Sequence, residues 1–412
     1  MKKFLSVLFL VTLCVVGFSK TTIVHWMHHS PARLEFVDKM AKQFMEENPD
    51  VEIVIQSIPL SEYKTKLLAA VAAGSGPDVA QVPGEAMLEL YYYQVIQPFP
   101  TTVMSIEKLQ KDYIEPTVRN LIIDGELYGL PTDVQTIVLF YNPVLFEQAG
   151  LDPNRPPEDW NELIEYAKKL TKWEEGKMVQ SGWAFEGYDR ELETMMRCAG
   201  ATFWEDEKQT KVKLEPAIIE TYEFYKKAIE EHKVYTPEFG SRWTGFRQIK
   251  EGMVFGHGAM VGSFMVGSHP DLVFRTAPVP KHPETGKRVT VLTSWSLSIM
   301  EGCKDPEAAA KWLLYITSED AQRKWLEETG ELPSLKVVAN DPKYINDPLL
   351  GAVVDSLNYA EPTFSKGWAN PSAMLRDAYN DIIKKGVPVE EAASKAIKEI
   401  NKYLEETFGQ FE

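Results

Sequence analysis

Apolar residues recur at spacings of three and four from Leu34 through Phe36, Val37, Met40 and Phe44 to Met45, the signature of a helix with one buried face. Pro31 stands at its start and Asn48-Pro49-Asp50 stops it after Glu47. On its two sides the period changes to two. Thr21 to Trp26 is a strand around Ile23 and Val24, and Val51 to Ile58 alternates Val51, Ile53 and Ile55 against Glu52 and Gln56. Strand, helix, strand in this order predicts a parallel unit. A second helix from Ser61 to Ala73 and the turn Gly74-Ser75-Gly76-Pro77 lead to a third short strand at Val79.

Farther on, Thr136 to Tyr141 is β-branched and aromatic without polar interruption, which suits a strand buried on both faces. Asn142-Pro143 stops it, and Val144 to Ala149 reads as a short helix closed by Gly150. Helices are predicted from Trp160 to Leu170, Pro216 to His232, Pro306 to Thr317, Gln322 to Glu328 and Val389 to Leu404, the last with Ala392, Ala396, Ile400 and Leu404 on one stripe. Strands are predicted at Ser181 to Phe185 and Trp295 to Met300. Strands alternating with helices mark an α/β chain.

At 412 residues and 44% hydrophobic composition, the chain can fill two cores of ordinary size rather than one. Its formal charge of −16, with no compensating basic stripe, argues against nucleic acid and anionic membranes as partners. Residues Met1 to Ser19 combine Lys2-Lys3, an apolar run from Phe4 to Val16 and the small-x-small site Gly17-Phe18-Ser19, which reads as a secretory signal peptide. Cys14 offers a rival lipoprotein reading, but Leu13 stands where a small residue is expected before it. The mature product is expected in a periplasmic or other extracytoplasmic compartment. Only Cys198 and Cys303 remain there, too few for a disulfide framework, and free buried thiols are expected.

Several stretches together carry a family resemblance. They are the Phe44-to-Val54 passage F-x-x-x-N-P-x-V-x-I-V, the run from Tyr63 to Val79 that ends in Gly-x-Gly-Pro-Asp-Val, the segment DGELYGLPTDVQTIVLFYNPVLFEQAG from Asp124, the passage Gly256-His257-Gly258-Ala259-Met260-Val261-Gly262-Ser263, and Asp305 to Ser334. In order and spacing they resemble the bacterial extracellular solute-binding proteins of family 1, the maltose-binding-protein superfamily. The resemblance implies an α/β, two-lobed periplasmic-binding-protein fold of type II whose lobes are joined by three hinge crossovers. It places residues 20–133 and 278–331 in the N-terminal lobe and 134–277 and 332–412 in the C-terminal lobe. Thr132 to Gln135 become the first hinge, the return falls near Thr276 to Pro280, and the last crossing lies near Glu331 to Ser334. The implied function is that of a monomeric substrate-binding protein that delivers a carbohydrate or related polyol to a membrane ABC permease, with no cofactor.

A sugar presents hydroxyls to planar polar groups and C–H faces to aromatic rings, so its site needs both. The platform candidates are Trp26, Trp243, Trp295 and Trp368, at strand ends or in loops; Trp160, Trp312 and Trp325 sit at apolar helical spacing and read as core or surface. The polar candidates are His28, His29, Gln81, Glu85, Asp133, Gln135, Ser263, Glu331 and Arg376, with Gly262 offering backbone. The resemblance puts a stacking residue at Phe264 and a ligand-contacting glutamate where this chain has Gln135, and that lost charge weakens the transfer of any particular sugar. Asp78 reads as a turn residue.

Two other functional classes leave partial signals in the chain. His25, His28 and His29 lie close enough in sequence to suggest a transition metal, but matching further ligands are not evident and no metal is expected. No G-x-S-x-G, H-E-x-x-H or G-x-x-x-x-G-K-[ST] motif is present, and Gly256-x-Gly258-x-x-x-Gly262 misses the dinucleotide fingerprint by one residue. Paired carboxylates for glycoside cleavage can come from distant segments, but the whole-chain resemblance points to binding without catalysis.

Overall fold

The computed structural model describes residues 20–265, 267–368 and 371–411. The leader reading over Met1 to Ser19 and the Cys14 alternative lie outside them. Strand β1 (Thr21–His28) is flanked in parallel by β2 (Val51–Ile58) and β3 (Val79–Pro83), and helices Pro31–Glu47 and Leu60–Ala72 make the connections. Asp78 accepts from the backbone N–H of Val24 at 2.8 Å, so it anchors the entry of β3 to β1, the turn role read from the sequence. A small hairpin, β4 (Ile122–Ile123) with β5 (Glu126–Leu127), precedes the long β6 (Leu130–Tyr141). Then follow β7 (Lys172–Glu174), β8 (Lys177–Ala184), β9 (Glu251–His257), β10 (Arg275–Ala277), the long β11 (Thr290–Ile299), β12 (Leu332–Pro333) and β13 (Ala360–Pro362).

The sheet runs β2-β1-β3-β11-β6-β9-β8-β7, with β10 and β12 also on β6 and β13 on β11. Its two central strands explain the two-lobed form. β11 pairs with β3 through Trp295 to Ile299, while its first residues pair with β6 and β13; β6 begins against β11 and ends, from Ile137 to Tyr141, against β9. Each therefore begins in one lobe and ends in the other. The strand seen in the sequence from Thr136 thus starts six residues earlier, and its ladder with β11 shifts register between Trp295 and Ser296, opposite Thr132.

Alternation along β6 sends Ile137, Leu139 and Tyr141 into a core with Trp183, Tyr225, Phe255 and Ile400. Val138 and Phe140 point to the opposite face and meet Phe246, Phe264 and Phe274, whose packing is continuous with the first core around Ile23, Phe36, Leu67 and Trp312. The return crossing differs in place from the sequence reading. Val279, Val289 and Val291 pack in the second core and Leu292 and Leu297 in the first, so the chain changes lobes inside β11, not near Thr276 to Pro280. β10 holds residues 275–277 against β6 before that happens, a pairing that apolar period alone does not reveal. Cys198 and Cys303 are free and buried.

Candidate functional site

The carboxyl end of β1 and the helix that follows build one wall. Trp26 and His28 share a face of the strand, and Arg33 enters in the first turn of Pro31–Glu47, only 4% exposed. Its Nε donates to Glu331 at 2.9 Å, its Nη2 to both Glu331 oxygens at 2.7 Å and to Asp133 at 3.5 Å, and its Nη1 meets His28 Nε2 at 3.2 Å. A guanidinium has no acceptor and does not lose its proton, so His28 Nε2 must accept and the imidazole proton sits on Nδ1. Burial, with Arg33 adding to it, lowers His28 to about 4 and keeps the ring neutral. The His28 ring lies on Trp295 with centroids 4.4 Å apart, and Arg33 is 5.8 Å from the rings of both Trp295 and Trp325. Trp325 Nε1 donates to Glu331 at 3.2 Å. Burial and the neighbouring Glu331 hold Asp133 well above the usual carboxylate range, against the pull of Arg33.

The second wall comes from the ends of β8 and β9. Arg242 opens the short helix Arg242–Arg247, its guanidinium 4.2 Å from the ring of Tyr188 and 4.7 Å from that of Trp243, with Nη1 3.3 Å from Glu191. Trp243 meets His257, the last residue of β9, edge-on at 5.9 Å. Burial lowers His257 to about 4, and the charges of Glu331, Arg33 and Arg242 also act on it, which puts this histidine between the two walls. Beside it the lobes touch through backbone: a Cβ on Gly262 would lie 2.9 Å from Thr329 O, and one on Gly258 would lie 3.3 Å from Gly330 O.

A strap of residues 363–368 closes the other side. Glu85 and Arg190 pair across the lobes at 3.1 Å, Arg190 donates to Thr363 Oγ1 at 2.9 Å, and that hydroxyl donates to Glu193 at 2.7 Å. The backbone N–H of Gly367 donates to Glu85 O and that of Trp368 to Glu89, while the Trp368 ring packs 6.0 Å from Tyr63.

Five buried nitrogens on the two walls have no hydrogen-bond partner among the described residues: Trp26 Nε1 and His28 Nδ1 on the first, Arg242 Nε, Trp243 Nε1 and His257 Nδ1 on the second. Buried polar groups are nearly always paired, and each orphan costs about 1–3 kcal/mol. Such a set on facing aromatic and charged walls is suited to the hydroxyls and ring faces of a polar ligand.

Of the sequence candidates, Trp26, His28, Asp133, Trp243, Gly262, Trp295 and Glu331 come together on these walls, and Glu85 and Trp368 join the strap. Gln81 lies beneath the site, lining with His25, Thr132 and Gln322 a cavity of about 20 Å³, room for one water. Gln135 faces Thr293 across the β6 and β11 ladder, and Ser263 is engaged by Arg247. His29 is exposed and bonds Ser57, and Arg376 is exposed on helix Ala373–Lys385; neither reaches the walls. Phe264 is not a platform: only 2% exposed, it packs against Phe140 and Phe246. Trp325, read as core or surface, is core: it is buried against Phe36, and its indole N–H also reaches Glu331. Arg33, Tyr188, Arg242 and His257 were missed, because single charged or polar residues on a helix or at a strand end carry no periodic signal.

Residues 30–323 match the model of the family described as bacterial extracellular solute-binding protein. The maltotriose-binding protein of Pyrococcus abyssi is 23% identical over 397 residues, 93% of this chain and 82% of that one. The sn-glycerol-3-phosphate-binding periplasmic protein of Shigella dysenteriae is 34% identical over 171 residues, 40% of this chain and 38% of that one. In structure, an ABC transporter solute-binding protein of Thermotoga lettingae bound with α-D-tagatose superposes with a TM-score of 0.78 at 22% identity, covering 93% of this chain and all of that one. The fold and the family match agree, and the chain belongs to the bacterial extracellular solute-binding proteins.

Proposed function

We propose that this protein captures a carbohydrate, a mono- or oligosaccharide or a related polyol, between its lobes and presents it to the membrane permease of an ABC importer. The observation that carries the reading is the pairing of aromatic platforms with unpaired donors: Trp295, Trp243 and Trp26 offer faces, and Trp26 Nε1, His28 Nδ1, Arg242 Nε and Trp243 Nε1 need acceptors that sugar hydroxyls supply. The relatives named for maltotriose and glycerol 3-phosphate, and the neighbour holding tagatose, support a small polyhydroxylated solute. Among the described residues no helix is long and apolar enough to cross a membrane. The reading takes the protein as an exported monomer that binds its sugar and releases it unchanged. Its first lobe comprises residues 20–133 and the stretch from β11 to 331, and its second the segments between and after.

Isothermal calorimetry against maltose, maltotriose, mannobiose, D-tagatose and glycerol 3-phosphate tests this. At least one neutral sugar should bind and be recovered intact by chromatography. Binding of glycerol 3-phosphate alone would replace the sugar with an anionic polyol, and cleavage of the sugar would make the protein an enzyme. Trp295→Ala is expected to weaken the sugar that binds by about 1.5 kcal/mol, the loss of one stacking platform; an unchanged Kd would remove Trp295 from the site.

A further inference from the structure

One guanidinium touches all three segments that pass between the lobes. Arg33 is held to Asp133 on β6 at 3.5 Å, to Glu331 at the entry of β12 at 2.7 Å, and lies 5.8 Å from the ring of Trp295 on β11. Its remaining nitrogen meets His28 Nε2 at 3.2 Å, and the ring of Trp325 also lies 5.8 Å from it. The group is buried, and so are both carboxylates.

We propose that Arg33 is the positioning residue that couples contact with the ligand to the set of the hinge. This rests on the reading of the cleft as a sugar site that closes. Asp133 and Glu331 belong to different crossings, so the distance between them is a measure of hinge geometry. Two buried carboxyl groups facing one cation are drawn to a common centre while it is present; without it they keep at most a shared proton, because burial and Glu331 already raise Asp133 well above the usual carboxylate range. Arginine suits the task because its planar fork serves Glu331 with two nitrogens, reaches Asp133 with one of these, and still offers Nη1 to His28, with both indoles close to it. A lysine ammonium has the charge but not the directions. Through Nη1 the same group fixes the His28 proton on Nδ1, the nitrogen left without a hydrogen-bond partner among the described residues. A ligand acceptor at Nδ1 therefore pulls on a ring whose other nitrogen is tied to all three crossings. The unit recognises and moves as one.

Nitroxide labels on Lys66→Cys and Glu165→Cys, exposed positions on opposite lobes, report the interlobe distance, and the native thiols Cys198 and Cys303 are buried away from the label. In the ligand-free protein Arg33→Gln should broaden the distance distribution. Adding Glu331→Gln to it, which gives the Asp133 carboxyl a neutral amide to bond in place of a second carboxyl group, should narrow the distribution again. With whichever of maltose, maltotriose, mannobiose or D-tagatose binds the unsubstituted protein, Arg33→Gln should raise Kd roughly 5- to 150-fold, the usual range of coupling between linked elements. The double variant should recover the distance but not the affinity, because His28 remains unfixed. Should Arg33→Gln fail to fold, Arg33→Lys keeps the charge and should move both readouts in the same direction. A purely structural role would lower the melting temperature and leave distribution and Kd as they were, which would overturn the proposal. If none of these sugars binds the unsubstituted protein, the sugar reading fails, while the ligand-free distributions still decide whether Arg33 sets the hinge.

Discussion

Valine in place of Gly262 is expected to weaken sugar binding about 100-fold, the equivalent of close to 3 kcal/mol of overpacking at a contact that cannot yield. The first added carbon would stand 2.9 Å from Thr329 O, a backbone atom, with the Thr329 carbonyl carbon at 3.3 Å behind it. Thr329 is pinned in turn. Its hydroxyl donates to Trp325 O at 2.6 Å and accepts from Glu331 N at 3.2 Å, and Gly330, at φ +73°, caps helix Glu319–Thr329 in the left-handed conformation by donating to Leu326 O. A wedge here is relieved by moving the lobes apart, which draws Glu331 and Trp325 away from His257 and the second wall. Within each lobe the packing is untouched, so ligand-free stability should change much less than affinity. Calorimetry gives the Kd, and small-angle scattering should show that a sugar which compacts the unsubstituted protein no longer compacts Gly262→Val. Normal affinity in that variant would mean that the Gly262 contact plays no part in closure.

The fold was largely legible because its first ninety residues obey clear periods: the helix from Pro31 and the strands at Thr21 and Val51 fall where the apolar positions put them. The limits of legibility are physical. β6 spans both lobes, and its first half carries Pro131, Thr132 and Asp133, residues that read as a turn because their pairing partners, Leu332 to Pro333 and Ser294 to Ser296, lie far along the chain. The return crossing was misplaced for the same reason, since the pairing of β10 with β6 is a long-range event. In the site, tryptophans at strand ends were found by type and position. Arg33 escaped because a charged residue in the first turn of an amphipathic helix ordinarily faces water, and what buries it is Glu331, 298 residues away. Trp325 is the core residue that its apolar spacing indicates, packed on Phe36, and only the donation of its indole N–H to Glu331 lay beyond what spacing shows.

Glu251→Gln is expected to stabilise the protein at pH 8 by about 3 kcal/mol, the gain from removing a buried group that must either take up a proton at that pH or stay charged inside. Glu251 opens β9 with its side chain wholly inside the second lobe, where neither carboxylate oxygen has a hydrogen-bond partner among the described residues. Burial first, and then Glu186, push its pKa well above the ordinary glutamate value, while Arg242 pulls the other way. Nearby Glu191 is pushed up to about 8 by burial, with Arg242 and Tyr225 opposing. Both groups bind protons more tightly folded than unfolded. Their favourable contribution is therefore complete below the ordinary carboxylate range and is lost as pH rises, through about 8 for Glu191 and through a value well above 4.5 for Glu251. The unsubstituted protein should accordingly be more stable at pH 5 than at pH 8. In Glu251→Gln the fall between these pH values should shrink, leaving the share due to Glu191 and to Asp133, whose pKa is raised in the same direction. Urea midpoints at the two pH values measure this directly. Equal falls in both proteins would show that Glu251 stays ionised in the fold, held by Arg242, and would make that arginine, already between Tyr188 and Trp243, the charge on which the second wall of the sugar site depends.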